Sequence, residues 1–264
     1  MKRLFLHCTT DNIEQALPLV KQRGLGIELT SFSHPPLLER PEELVAQHRQ
    51  WLDGFTGMRS IHGAFYHLIP GAIDPLIREA TATRMRQAIG FARETSASHV
   101  IFHHGYYARA RFDAAWVARS TAFWREILTV VPDGLMVHLE NAHEVSPDLQ
   151  LALIDEVNDP RLGICLDIGH AQVFSQTAVI DWITALGNRI TYVHLHDNDG
   201  SADQHLPLGE GTIPLIDVLA ALEAHAPQAI WTIEAEATRS LKWLAANVCV
   251  AKPFPETFTG GFHQ

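Results

Sequence analysis

Short apolar runs alternate with longer amphipathic ones along the whole chain, eight times over, and few folds tolerate that pattern. The runs that read as strands are 3–7, 26–30, 59–62, 100–103, 135–140, 163–167, 191–196 and 230–234. Helical spacing predicts helices over 12–23, 41–55, 74–94, 179–186, 215–225 and 238–248. Two further helices fall between them, one carrying Trp116, Phe123, Ile127 and Val130 on the side expected to face the sheet, the other opened by Ser146-Pro147-Asp148. Asp74-Pro75 supplies a cap and a first-turn proline. Eight such units in 264 residues predict a single-domain (β/α)8 TIM barrel over 1–252, with 253–264 (PFPETFTGGFHQ) as an irregular tail. A doubly wound open sheet is the alternative. No G-x-G-x-x-G follows the first strand, which removes the dinucleotide fingerprint but not that fold.

The formal net charge of −10 argues against a broad nucleic-acid surface or an anionic membrane, so nucleic acid is an unlikely partner on this reading. No apolar run approaches a membrane span, and the start MKRLFLHCTTDN is too polar for a signal peptide. Cys8, Cys165 and Cys249 are odd in number and far apart, which fits reduced thiols and a cytoplasmic location. Of the 16 histidines, His48 and His225 sit on helical stretches and are expected at the surface.

The chemistry concentrates in 192–211, YVHLHDNDGSADQHLPLGEG, which opens as a strand and breaks into a loop. It holds His194, His196, Asp197, Asp203, His205 and Glu210, the imidazole and carboxylate ligands that zinc, manganese and iron prefer. A barrel gathers its functional groups at the carboxyl ends of its strands. The third predicted strand ends at His62, the fourth at His103-His104, the fifth at Glu140, the sixth at Asp167, the seventh at His194 and His196, and the eighth at Glu234. His170 follows three residues after Asp167. Six consecutive strands thus deliver a metal-competent side chain to one rim.

The runs HLEN (138–141), CLDIGHA (165–171), VHLHDNDG (193–200), DQHLPLGEG (203–211) and TIEAE (232–236) resemble the xylose isomerase-like superfamily. That group joins sugar phosphate isomerases and epimerases with the endonuclease IV-like enzymes of AP endonuclease family 2. The resemblance covers the third to eighth strands; the first two carry no diagnostic motif. In its endonuclease-like branch it implies three metals. One would be held by His62, His103 and Glu140, a second by Glu140, Asp167, His194 and Glu234, and a third by His170, Asp203 and His205. His103 is preferred to His104 because the family places the ligand two residues before a glycine, here Gly105. Many isomerase relatives keep only the second set. Asn141, His196, Asp197 and Glu210 are expected to orient these ligands by hydrogen bonds.

Charge supplies a further reason to expect metals. Glu140, Asp167, Asp203 and Glu234 among five neutral imidazoles make a formal −4; one divalent ion leaves −2, and three give +2. Phe65, Tyr66, Tyr106 and Tyr107 are candidates to wall the mouth against a sugar, and Arg109 and Arg111 to clamp an anionic group. The expectation is an enzyme using two or three zinc or manganese ions on a small sugar or sugar phosphate. It would isomerise or epimerise through an enediolate, with Glu140 and Glu234 as catalytic residues. A multinuclear zinc phosphoester hydrolase resembling endonuclease IV is the alternative; an oligomer is compatible with either.

Overall fold

Alternation with a period of two divides every strand into two faces, and the two faces carry different residues. The structure, a computed structural model, describes residues 4–106 and 115–248. Tyr107, Arg109, Arg111, Cys249 and the tail 253–264 lie outside the described residues. The strands are β1 (Leu4–Cys8), β2 (Gly26–Leu29), β3 (Arg59–His62), β4 (His99–His103), β5 (Met136–Glu140), β6 (Leu162–Asp167), β7 (Ile190–Leu195) and β8 (Ile230–Ile233). Each pairs parallel with the next and β8 closes on β1, which makes a barrel and removes the open sheet. The register slips only between Ile164 and Cys165, where β6 meets β7.

Outward positions such as Leu6, Ile27, Ile61, Val100, Phe102, Val137, Leu139, Ile164, Leu166, Val193 and Ile233 join one large core with the helices. Trp124 and Trp182, both fully buried, belong to this layer. Burying on the order of 150–250 Å² each, they contribute roughly 4–6 kcal/mol apiece. The indole of Trp182 donates to Ser175 Oγ at 2.8 Å, which satisfies its one polar group. Inside the barrel the apolar filling is small: Phe5, Ile101, Cys165, Tyr192 and Ile230, with Met58 against them. Gly26 makes room for it, since a Cβ there would lie 2.5 Å from the Phe5 ring. The floor is therefore closed, and the inward positions above it are free to be polar.

The helices are α1 (Ile13–Arg23), α2 (Pro41–Trp51), α3 (Pro75–Thr95), α4 (Trp116–Leu128), α5 (Asp148–Val157), α6 (Ile168–Phe174), α7 (Val179–Leu186), α8 (Leu215–His225) and α9 (Ala237–Asn247). Asp74 caps α3, accepting from Leu76 N–H at 2.8 Å. The short α6 adds a ninth helix, among the described residues, to the eight expected. Two expectations fail here for local reasons. Val130 lies beyond the end of α4 and is 48% exposed, so it does not face the sheet. His48 is fully buried, one turn after Leu44 on the buried face of α2, and its Nδ1–H donates to Leu44 O at 2.8 Å. Its ring packs on Phe32 at 4.6 Å, and burial holds it neutral by lowering its pKa. His225 is exposed, as expected. No helix among the described residues is long and apolar enough to cross a membrane.

Candidate metal centre

The last inward position of each strand bears a polar or titratable group: His7, Glu28, His62, His103, Glu140, Asp167, His194 and, just past β8, Glu234. His7, His62, His103, Glu140 and Glu234 line a cavity of about 560 Å³ at the carboxyl end of the barrel, within the size range of small-ligand sites, and Glu28, Asp167 and His194 are fully buried beside them. Thr9, Thr10, Thr30, Ser31 and Ser33 line one flank; Phe65, Tyr66 and Tyr106 line another.

All nine residues expected as ligands converge there, linked through four carboxylates. Glu140 is at the centre. Its Oε2 lies 3.0 Å from His62 Nε2 and 3.4 Å from His103 Nε2, while Oε1 lies 3.3 Å from His194 Nδ1 and 3.4 Å from His170 Nδ1. His194 Nδ1 is also 3.6 Å from Glu234 Oε1 and 3.8 Å from Asp167 Oδ2. Further out, Asp203 Oδ2 stands 3.3 Å from His170 Nε2 and 3.2 Å from His205 Nε2. Two ligand atoms bound tetrahedrally to one zinc, each at about 2.0–2.1 Å, stand about 3.3–3.4 Å apart. The observed spacings fit that geometry.

Local structure aims these rings. Asp167 caps α6, accepting from His170 N–H at 2.7 Å, so the first helical turn brings His170 back over the carboxylate. A carbonyl can only accept, so each Nδ1 bonded to one must carry the proton. That holds for His62 on Gly63 O (3.0 Å), His170 on Asn141 O (2.8 Å) and His205 on Glu234 O (2.8 Å). Each leaves Nε2 directed at a carboxylate. His205 achieves this in the left-handed region, at φ 48°. His194 Nδ1 and Asp203 Oδ1 are buried without a hydrogen-bond partner, the condition of atoms that await a cation.

Of the expected supporting residues, three act close to these groups. Asn141 grips Asp167 twice, donating to its O at 2.9 Å and accepting from its N–H at 2.8 Å. His196 lies 3.1 Å from Asp167 Oδ1 and stacks on the His205 ring at 4.0 Å. Asp197 instead folds the loop that carries Asp203 and His205, accepting from Asn198, Gly209 and Ile213 N–H groups. Glu210 does not reach the site: it is exposed and paired with Arg239 at 2.9 Å, because the loop turns outward after Leu208. His104 is fully buried and pairs with Glu144 at 2.9 Å, pinning β4 to the loop after β5. Phe65 stacks on His103 at 4.1 Å, which orients that ring.

The sequence reading passed over His7 and Glu28, on the two strands without a motif. Glu28 is a lone charge in a fully buried four-residue strand, GIEL, which is the signal available in the sequence. Burial works against its charged form, but His194, His62 and the Tyr192 hydroxyl outweigh it and hold the carboxyl at about 2. Glu28 adds a fifth carboxylate, so two divalent ions would leave the cluster at a formal −1 and three at +1.

Without cations the imidazoles must balance this charge themselves. Burial disfavours their protonation, yet the surrounding carboxylates raise His62, His170 and His194, and bring His205 up to about 9. His103 is the exception, burial and its cationic neighbours lowering it to about 3 despite Glu140. A folded-state pKa of about 9 against the usual 6.5 gives His205 a stabilising contribution complete below 6.5 and lost as pH rises through 9. The metal-free protein should therefore melt at lower temperature as pH rises over that window. Zinc requires deprotonated ligands, so the stabilisation it adds should grow over the same window. Melting curves in chelator and in zinc decide this; parallel pH profiles would remove the link between these imidazoles and metal.

Comparison with known proteins places this geometry. An uncharacterized protein of Methanocaldococcus jannaschii is 29% identical over 184 residues, covering 66% of this chain; the chain spans 63% of that relative's length. A Thermus thermophilus protein, solved after soaking with ZnCl2, is 27% identical with a TM-score of 0.74 over 93% of this chain and 97% of its own. A D-tagatose 3-epimerase-like protein gives 23% identity and a TM-score of 0.73 over 94% and 97%. An L-ribulose 3-epimerase and a D-allulose 3-epimerase share the fold as well. Residues 12–247, nearly the whole described barrel with its rim of imidazoles and carboxylates, match one family model, and by that match the chain belongs to the xylose isomerase-like TIM barrels.

Proposed function

We propose that the protein is a divalent-metal-dependent isomerase or epimerase acting on a small sugar or sugar phosphate. The observation that carries this reading is the composition of the cavity. Converging imidazoles and carboxylates form its floor, and five hydroxyl-bearing residues and three aromatic rings form its flanks. The threonine and serine hydroxyls suit a polyhydroxylated substrate, and aromatic faces suit the C–H side of a sugar ring. The epimerase names of several fold neighbours agree with it.

His62, His103, Glu140, Asp167, His170, His194, Asp203, His205 and Glu234 would hold two or three ions, zinc or manganese. Bound ions would polarise a carbonyl and its neighbouring hydroxyl, acidifying the C–H between them. Glu140 and Glu234 flank His194 Nδ1 at 3.3 and 3.6 Å, and Glu234 opens onto the cavity. In this reading Glu234 removes the proton from the carbon next to the carbonyl, leaving an enediolate. Glu140 takes part in returning a proton, to the adjacent carbon for isomerisation or to the other face of the same carbon for epimerisation.

The test is incubation of metal-loaded protein with ketoses and ketose phosphates in deuterated water. Deuterium should enter next to the carbonyl, and Glu234→Gln should block its entry. The complete His170–Asp203–His205 cluster favours a second reading, phosphoester hydrolysis with a third ion at the leaving oxygen. The two differ at Asp203→Ala, which should spare part of an isomerase's turnover. In a hydrolase it should cost at least about a thousandfold, some 4 kcal/mol of transition-state stabilisation. No exchange across the panel, with metal-dependent release from a phosphoester, would replace the first reading by the second.

A further inference from the structure

Beneath the proposed ligands lies a second polar layer, centred on Glu28. Its side chain is fully buried, and one oxygen, Oε2, accepts from Tyr192 OH at 2.7 Å and Thr232 Oγ1 at 2.9 Å. Ser60 Oγ lies 2.8 Å from the same phenol oxygen, so four strands, β2, β3, β7 and β8, meet at one carboxylate. His194 Nε2 lies 3.2 Å from Oε1 and 3.3 Å from Oε2.

We infer that Glu28 is a positioning residue, holding His194 in the tautomer protonated on Nε2 so that Nδ1 presents its lone pair to the cavity. Nε2 makes the ring's hydrogen bond, to a carboxylate that can only accept, so the proton of the neutral ring sits there. The other nitrogen faces Glu140, Glu234 and Asp167 at 3.3–3.8 Å and has no hydrogen-bond partner. His194 differs in this from His62, His170 and His205, whose rings are fixed by backbone carbonyls through Nδ1 and aim Nε2 inward. A carbonyl brings no net charge, whereas Glu28 brings a full one and raises the basicity of the ring it holds. The tyrosine and threonine hydroxyls, the phenol itself held by Ser60, keep that carboxylate from turning away.

This inference rests on the proposed metal centre and deepens it. Its test is zinc affinity, by competition with a chelator, in wild type and Glu28→Gln. A glutamine keeps the shape but can turn an N–H towards His194 Nε2, which favours the other tautomer. Zinc affinity should fall about 10–100-fold, whatever the change in the melting temperature of the metal-free protein. Long-range nitrogen–proton NMR of labelled histidine should show His194 protonated on Nε2 in zinc-loaded wild type and shifted towards Nδ1 in the variant. Should Glu28→Gln fail to fold, Tyr192→Phe removes one hydroxyl from Glu28 without touching His194 and should lower zinc affinity several-fold. Unchanged affinity and tautomer in a folded variant, with only the metal-free melting temperature lowered, would make Glu28 a structural residue and overturn the inference. Wild type that binds no zinc or manganese would instead defeat the metal centre itself.

Discussion

Replacing Glu140 with glutamine should strip the protein of more than one metal ion at once. Its two oxygens face three imidazoles of the expected ligand set, His62 and His103 on one side and His194 on the other. A glutamine fits the same space but offers one neutral acceptor and one N–H₂, and an N–H₂ cannot bind a cation. The half-site facing the N–H₂ loses a ligand outright and the other exchanges a carboxylate for an amide. Burial opposes the charge on Glu140, yet the imidazoles of His103, His194 and His62 hold the carboxyl well below its usual range, which favours the form that a cation binds. Elemental analysis should therefore show a loss exceeding one equivalent per chain, and turnover should fall by at least about a thousandfold. Loss of a single equivalent with the remainder retained would refute a bridging role.

Gly169→Ala should be nearly as damaging, although it adds one methyl group and touches no expected ligand directly. A Cβ at 169 would stand 1.9 Å from Cε1 of His196 and 2.5 Å from both ring nitrogens. The ring has nowhere to go: it is fully buried, bonded to Asp167 at 3.1 Å and stacked flat on His205 at 4.0 Å. Pushing it aside therefore moves a carboxylate of one proposed ion site and an imidazole of another. Overpacking of this kind costs about 1–3 kcal/mol, and in a chain of this size each kcal/mol lowers the melting temperature by roughly 2–4 °C. Zinc content should fall with it. An alanine variant with wild-type melting temperature and metal content would mean that His196 does not brace the cluster.

The barrel was legible because β/α alternation is a repeating signal, and the strands of 59–62 and 230–233 carry it within a residue. The rim was legible from β3 onward for a related reason: imidazoles and carboxylates at strand ends stand out against apolar runs. Glu28 and His7 were missed because each is one residue in a strand without a motif. Their meaning comes from neighbours up to 204 positions away, as in the bond from Thr232 to Glu28. Glu210 was misplaced for the converse reason. A motif such as G-E-G fixes proximity along the chain, but the direction in which a loop turns is decided by its anchors, here Asp197 and the ion pair with Arg239. His48 shows the limit of residue type alone: helical phase, one turn after the buried Leu44, placed it inside.

The two faces of the strands also bear on how such a protein changes over evolutionary time. The outward face and the helices supply nearly all the apolar packing, whereas the barrel's own interior contributes a cluster of only five buried residues. Substitutions in the inward column above that plug can therefore alter chemistry while leaving most of the folding free energy in place. A lineage with this construction can try new ligand sets and new substrates one rim residue at a time, without passing through unfolded intermediates. The cost falls on the floor residues instead: Phe5 and Gly26 must change together, since the ring of one occupies the space the other leaves.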